Sequence, residues 1–193
     1  DRELYDKVIA IKDQVPSLKE IFIFNEEKGI RNWKEVLELG KDKKHQDELN
    51  KRMDAVKNED LATLIYTSGT TGKPKGVVHV HGGFSVFAAH QAAFLIDTTQ
   101  NDVIFWPADI GWITGLVWNV YGLLIRGASA VIYDGALDYP NFSRIWDLLQ
   151  DYNATIFGIS PTAVRLFKKN NVEPLKHHSL TKIKNIPTTG EPL

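Results

Sequence analysis

"ATIFGISPTAVRL", residues 154–166, passes from strand to helix within one short stretch. Its first half alternates β-branched and aromatic residues, the composition of a buried strand. Ser160 followed by Pro161 then reads as a helix start: serine caps free amides, and proline at the first helical position gives up no hydrogen bond. Working outward, the same alternation recurs. "VIFWPAD" (103–109) and "SAVIYD" (129–134) read as strands, residues 115–125 and 141–152 as helices, and "KIKNIPT" (182–188) as the next strand. In the 141–152 helix, Ile145, Leu148, Leu149 and Tyr152 fall on one face. Strands separated by helices at this rhythm predict an α/β fold, a twisted, largely parallel sheet with helices on both faces.

Upstream, Leu4, Val8, Ile11 and Val15 recur at helical spacing, and "IFIF" (21–24) predicts a strand. Residues 40–60 carry charges of both signs with a thin seam of Leu49, Met53 and Val56, which predicts a solvated helix. Residues 83–96 predict another helix.

The 193 residues carry a net charge of −1, so no electrostatic footprint for nucleic acid or an anionic membrane is present. The most apolar region, 115–133, is broken by Asn119, Gly122, Arg126 and Gly127, short of the roughly 18 apolar residues of a membrane span. Cysteine is absent, which excludes disulfides and thiolate metal sites and makes the cytoplasm the expected compartment. Asp1 is not an initiating methionine, and "NIPTTGEPL" stops where a strand would deliver a loop, so a piece of a longer protein is expected.

Chemistry concentrates in "YTSGTTGKPKG", residues 66–76, set between the strands "ATLIYT" and "GVVHVH". Glycines 69, 72 and 76 let backbone amides converge on an anion, Thr67, Ser68, Thr70 and Thr71 add hydroxyl donors, and Lys73 and Lys75 add charge. That many donors suits a polyphosphate. The Walker A pattern is not met, because Gly72-Lys73 is followed by Pro74 and a strand. An NTP-hydrolysing switch is therefore disfavoured. A plain hairpin turn would be shorter and would not need paired lysines.

This loop resembles the signature of the adenylate-forming superfamily. "ADIGWITG" (108–115) and "TGEPL" (189–193) are similar to segments of its acetyl-CoA synthetase-like branch, the AMP-forming short- and medium-chain acyl-CoA synthetases. Together with "YDGALDYPNFSRIW" and "PTAVRL", the resemblance covers nearly the whole chain from about Leu4. It implies that residues 1–193 are a central fragment of the large N-terminal, AMP-binding domain, without its preceding part and without the mobile C-terminal domain.

The resemblance also implies roles. Thr67, Ser68, Gly69, Thr70, Thr71, Gly72 and Lys73, with Lys75 beside them, would hold the ATP phosphates. Gly190, Glu191 and Pro192 would form the adenine-side wall. Trp112, Ile113, Thr114 and Thr189 would line the acyl pocket, with Trp112 resembling an aromatic residue that opens or closes the coenzyme A tunnel. The implied substrates are a short-chain carboxylate such as acetate, ATP and coenzyme A. The Mg²⁺ ligand and the catalytic lysine are expected beyond Leu193, so this chain alone is expected to be inactive. A nucleotide-binding module without catalysis is the alternative.

The residues by themselves carry blander readings. Trp106, Trp112 and Trp118 recur every six residues in apolar surroundings, the usual setting of core tryptophans, and "GEP" alone is a turn. His79 and His81 would share a strand face, yet two ligands without a carboxylate make a poor metal site. His177-His178 reads as a solvated loop pair, and Asp109 as a residue that orients the pocket segment.

Overall fold

The computed structural model describes residues 2–67 and 72–192. The chain divides into two compact units, Asp1–Val56 and Lys57–Leu193.

In the first unit, α1 (Arg2–Ile11) runs into a 3₁₀ turn at Lys12–Gln14, and α2 (Lys34–Gly40) and α3 (Gln46–Asp54) follow. None of the three helices buries a residue fully. The solvated helix expected between 40 and 60 is α3, with Leu49 and Met53 exposed. The strand expected at "IFIF" reduces to a single bridge, Ile23 with Asn32. A short apolar run gives a strand only where a partner supplies a hydrogen-bonding ladder, and here the neighbouring backbone closes with two bonds, Ile23 N to Arg31 O at 3.0 Å and Trp33 N to Ile23 O at 3.0 Å.

The second unit opens with an antiparallel hairpin, β1 (Leu61–Thr67) against β2 (Lys75–Val80). α4 (His81–His90) follows, prolonged by a π-helical stretch at Gln91–Leu95. Then come β3 (Val103–Phe105), α5 (Ile113–Leu116), a second π stretch at Val117–Tyr121, and α6 (Gly122–Arg126), which ends on left-handed Gly127. β4 (Ser129–Val131), α7 (Arg144–Asp151), β5 (Ile156–Phe157) and α8 (Pro161–Lys169) complete the regular elements. Ser160 caps α8 as expected, its hydroxyl accepting from Ala163 N at 3.2 Å.

β4, β3 and β5 form a parallel sheet in that order. The "KIKNIPT" segment continues it beside β5 through Lys184 N to Thr155 O (2.8 Å), Phe157 N to Asn185 O (3.0 Å) and Ile159 N to Pro187 O (3.1 Å). It qualifies as one bridge, Ile156 with Asn185, rather than a full strand. The fold is thus α/β, with a parallel sheet and a separate antiparallel hairpin where the sequence predicted one largely parallel sheet.

Period-2 alternation sends side chains to opposite faces. Phe105, Phe157 and Val131 pack with Ile145, Trp146, Leu148 and Leu149 of α7 and with Ala163 and Phe167 of α8. Ile104, Trp106 and Ile156 pack on the other face with Leu123 of α6, Ile96 and Ala128. Each such aliphatic or aromatic burial contributes about 1.5–3 kcal/mol, which is why strands of two or three residues suffice.

Two histidine expectations need correction. His79 lies in β2 with its ring 4.7 Å from that of Phe84, but His81 is the first residue of α4, so the two do not share a strand face. His178 is not solvated. Its side chain is 7% exposed, with Nε2 2.8 Å from Asp147 Oδ1 and Nδ1 3.1 Å from Pro174 O, and it fastens the turn after α8 onto α7. His177 is exposed, as expected.

Candidate functional site

A cavity of about 390 Å³ opens where the parallel strands end. Trp106 to Asp109 reach it from the end of β3, Leu137 from the connection after β4, Ile159 and Ser160 from the end of β5, and Thr189 and Gly190 from the segment that continues the sheet. The chain leaves β3 for the α5–α6 helix on the Ile104 face, and leaves β5 for α8 on the Phe105 face. Neighbouring strands whose connections depart to opposite faces leave a crevice between their carboxyl ends. The cavity occupies that crevice.

Its floor rests on Trp106. That ring is 4% exposed and stacks on Trp118 with centroids 4.1 Å apart. A Cβ on Gly158 would stand 1.9 Å from Trp106 Cδ2, so only glycine admits the ring there. Asn119, buried in the helix behind, donates from Nδ2 to Trp106 O at 2.8 Å. The wall over this floor is the 109–115 loop. Asp109 accepts from Gly111 N through Oδ1 at 2.7 Å and from Trp112 N through its carbonyl at 3.0 Å. A Cβ on Gly115 would meet Asp109 O at 2.3 Å, so the loop can fold back on α5 only because that residue is glycine.

Of the acyl-pocket residues named from sequence, Trp112, Thr114 and Thr189 line this one cavity, and Ile113 does not; it opens α5. Trp112 is 71% exposed, unlike Trp106, so a spacing of six residues groups two core rings with one at the mouth of the site. Gly190 lines the cavity as well, with φ +99.

Glu191 and Pro192 do not line it. They are held from the side by α8: Thr162 N donates to Glu191 Oε1 at 2.9 Å and the Thr162 hydroxyl donates to the same oxygen. Arg165 donates from Nη1 to Glu191 Oε2 at 2.9 Å and from Nη2 to Pro192 O at 2.7 Å. The Thr162 hydroxyl, followed by the Arg165 guanidinium, holds the Glu191 carboxyl below the usual range.

Of the phosphate-loop candidates, the described ones belong to the hairpin and its approach to β2. Thr67 and Lys75 are direct cross-strand partners at the loop end of its ladder, and Lys73 is exposed. Gly72 has φ +103, the positive-φ conformation that a tight anion-binding loop uses. Gly76 has another reason to be glycine: it is extended in β2, and a Cβ there would press on the Tyr66 ring at 3.2 Å. Ser68, Gly69, Thr70 and Thr71 lie outside the described residues.

Among the described residues no group of three or more His, Asp or Glu side chains converges to hold a metal, so they do not fit a Mg²⁺ site by themselves. No helix among them is long and apolar enough to cross a membrane. Sequence reasoning passed over Ile159, Ser160 and Ala163 as cavity residues, and Thr162 and Arg165 as partners of Glu191. The signal for the first group was present: Ser160 stands at the carboxyl end of a predicted parallel strand, where ligand crevices form.

Comparison with known proteins identifies the family and the fold. The family model described as AMP-binding enzyme matches residues 2–193. Acetyl-coenzyme A synthetase of Methanothrix thermoacetophila is 44% identical over 135 residues, 70% of this chain and 20% of that protein. Acetyl-coenzyme A synthetase 1 of Saccharomyces cerevisiae is 41% identical over 138 residues, 72% of this chain and 19% of its own. Among solved structures, acetoacetyl-CoA synthetase from Streptomyces lividans superposes with a TM-score of 0.76 at 26% identity, covering 97% of this chain and 28% of that one. The chain spans about one fifth of the length of these curated relatives. With its sequence matched from residue 2 to its end and its fold shared, the chain belongs to the AMP-binding enzyme family.

Proposed function

We propose that residues 1–193 are the nucleotide- and acyl-binding part of an AMP-forming acyl-CoA synthetase that activates a short-chain carboxylate such as acetate. In this reading a carboxylate oxygen attacks the α-phosphorus of ATP, the bond to the bridging oxygen breaks, and pyrophosphate leaves with its electron pair. The thiol of coenzyme A then displaces AMP from the acyl-adenylate. Charge grows on the departing pyrophosphate, so donors fixed around it stabilise the transition state. Thr67, Ser68, Gly69, Thr70, Thr71, Gly72 and Lys73 supply those donors, with Lys75 beside them. Trp112, Thr114 and Thr189 bound the acyl group, and the main chain of 190–192 stands against the adenine. The cytoplasm is the compartment proposed with this reading.

The observation that carries this reading is the meeting of two distant segments, 108–115 and 189–190, around one cavity at the carboxyl ends of parallel strands. The described residues hold no metal-binding cluster, and the reading gives residues 1–193 alone weak nucleotide affinity and no turnover. Replacing Lys73 by alanine tests the phosphate assignment. It removes a charge from the β,γ-phosphate end only, so affinity for ATP falls about tenfold or more while AMP is bound as before. Equal losses for the two nucleotides contradict the assignment.

A further inference from the structure

The clasp between α8 and the 190–192 turn is more elaborate than packing requires. Thr162 and Arg165 satisfy both oxygens of Glu191, and the second arm of the Arg165 fork takes Pro192 O. Next to the gripped residue, Thr189 and Gly190 face the cavity while Glu191 does not. The Arg165–Glu191 pair is partly exposed, at 55% and 38% of its side chains, and ion pairs in that setting contribute little to stability. What a planar guanidinium fork combined with an amide and a hydroxyl does supply is fixed position and orientation.

We infer that Thr162 and Arg165 are positioning residues that grip Glu191 so that the main chain at 190–192 stands ready as the purine wall. Glu191 is then the handle of that wall, with its carboxylate committed to α8 and not available as acid, base or metal ligand. A wall ordered before the ligand arrives spares the cost of ordering it on binding. The inference rests on the adenylate reading above, and pyrophosphate separates the two, because it shares the phosphate loop with ATP but has no purine.

The test uses the full-length protein that carries these residues, with AMP and pyrophosphate titrated separately by calorimetry. In Arg165→Met, affinity for AMP falls about tenfold, and KM for ATP rises in step while KM for coenzyme A holds. Pyrophosphate affinity stays within about twofold and the melting temperature within about 2 °C, as befits an exposed pair. Arg165→Lys, which keeps the charge and one donor, recovers part of the AMP affinity. Arg165→Met combined with Glu191→Gln is little weaker than Arg165→Met alone, because the ion pair is already lost and an amide oxygen still accepts from Thr162. Unchanged AMP affinity in Arg165→Met, parallel loss of AMP and pyrophosphate, or additive losses in the double variant overturns the inference and leaves the adenylate reading standing. A wild-type protein that does not bind AMP overturns both.

Discussion

The two ends of the parallel sheet are built on opposite principles. At the amino ends, polar groups consume one another. Asp102, 5% exposed just before β3, accepts from the Thr155 hydroxyl at 2.6 Å, from Lys184 Nζ at 2.9 Å, and from the Thr99 amide and hydroxyl at 2.7 and 2.8 Å. Thr155 in turn accepts from Val103 N at 3.1 Å, and Lys184 also donates to Asp97 O at 2.7 Å. One carboxylate thereby joins β3, β5 and the segment after α8. At the carboxyl ends the same three lines of chain diverge around a cavity whose mouth is an exposed tryptophan. Saturated polar groups hold register, and open ones leave room for a ligand. The fold keeps the two tasks a strand length apart.

Breaking the closed end has the largest expected effect. Asp102→Ala takes the carboxylate from the Thr155 and Thr99 donors and from Lys184, which keeps Asp97 O, and leaving several part-buried donors without that acceptor costs about 2–3 kcal/mol. Urea unfolding followed by tryptophan fluorescence measures it. A loss below about 1 kcal/mol, the range of an exposed pair, removes the contrast between the two ends.

A smaller effect appears with acid. Burial pushes the Asp102 carboxyl up, but the donors from Thr155, Lys184 and Thr99 outweigh it and hold the group down at about 2. A carboxyl depressed in the folded state gives stability that is present above its unfolded pKa and lost as pH falls through its folded one. The window therefore runs from about pH 4 down to about pH 2 and is worth about 2 kcal/mol. Unfolding free energies of wild type and Asp102→Asn should converge across that window. Parallel curves would mean that Asp102 is not the residue protonated there.

Much of this was legible because it is local. Strand and helix alternation, the Ser160–Pro161 start of α8 and the glycine-rich hairpin follow from neighbours along the chain. The order β4-β3-β5 was not, because pairing is decided by packing between distant segments. "IFIF" misled because a short apolar run does not reveal whether a partner strand exists. Trp106 and Trp112 look alike in sequence, yet Gly158 makes room for one ring and none of the core receives the other. The grip on Glu191 joins residues 29 apart, and His178 finds Asp147 at a separation of 31. Neither pairing leaves a periodic trace.

The central claim is that the crevice beyond β3 and β5 holds an acyl-adenylate. A crystal structure of the protein with a nonhydrolysable alkyl ester of AMP tests it most directly. The account predicts the alkyl group between Trp112, Thr114 and Thr189 and the purine against the main chain of residues 190–192. Density for the analogue elsewhere, with the crevice filled only by solvent, contradicts it.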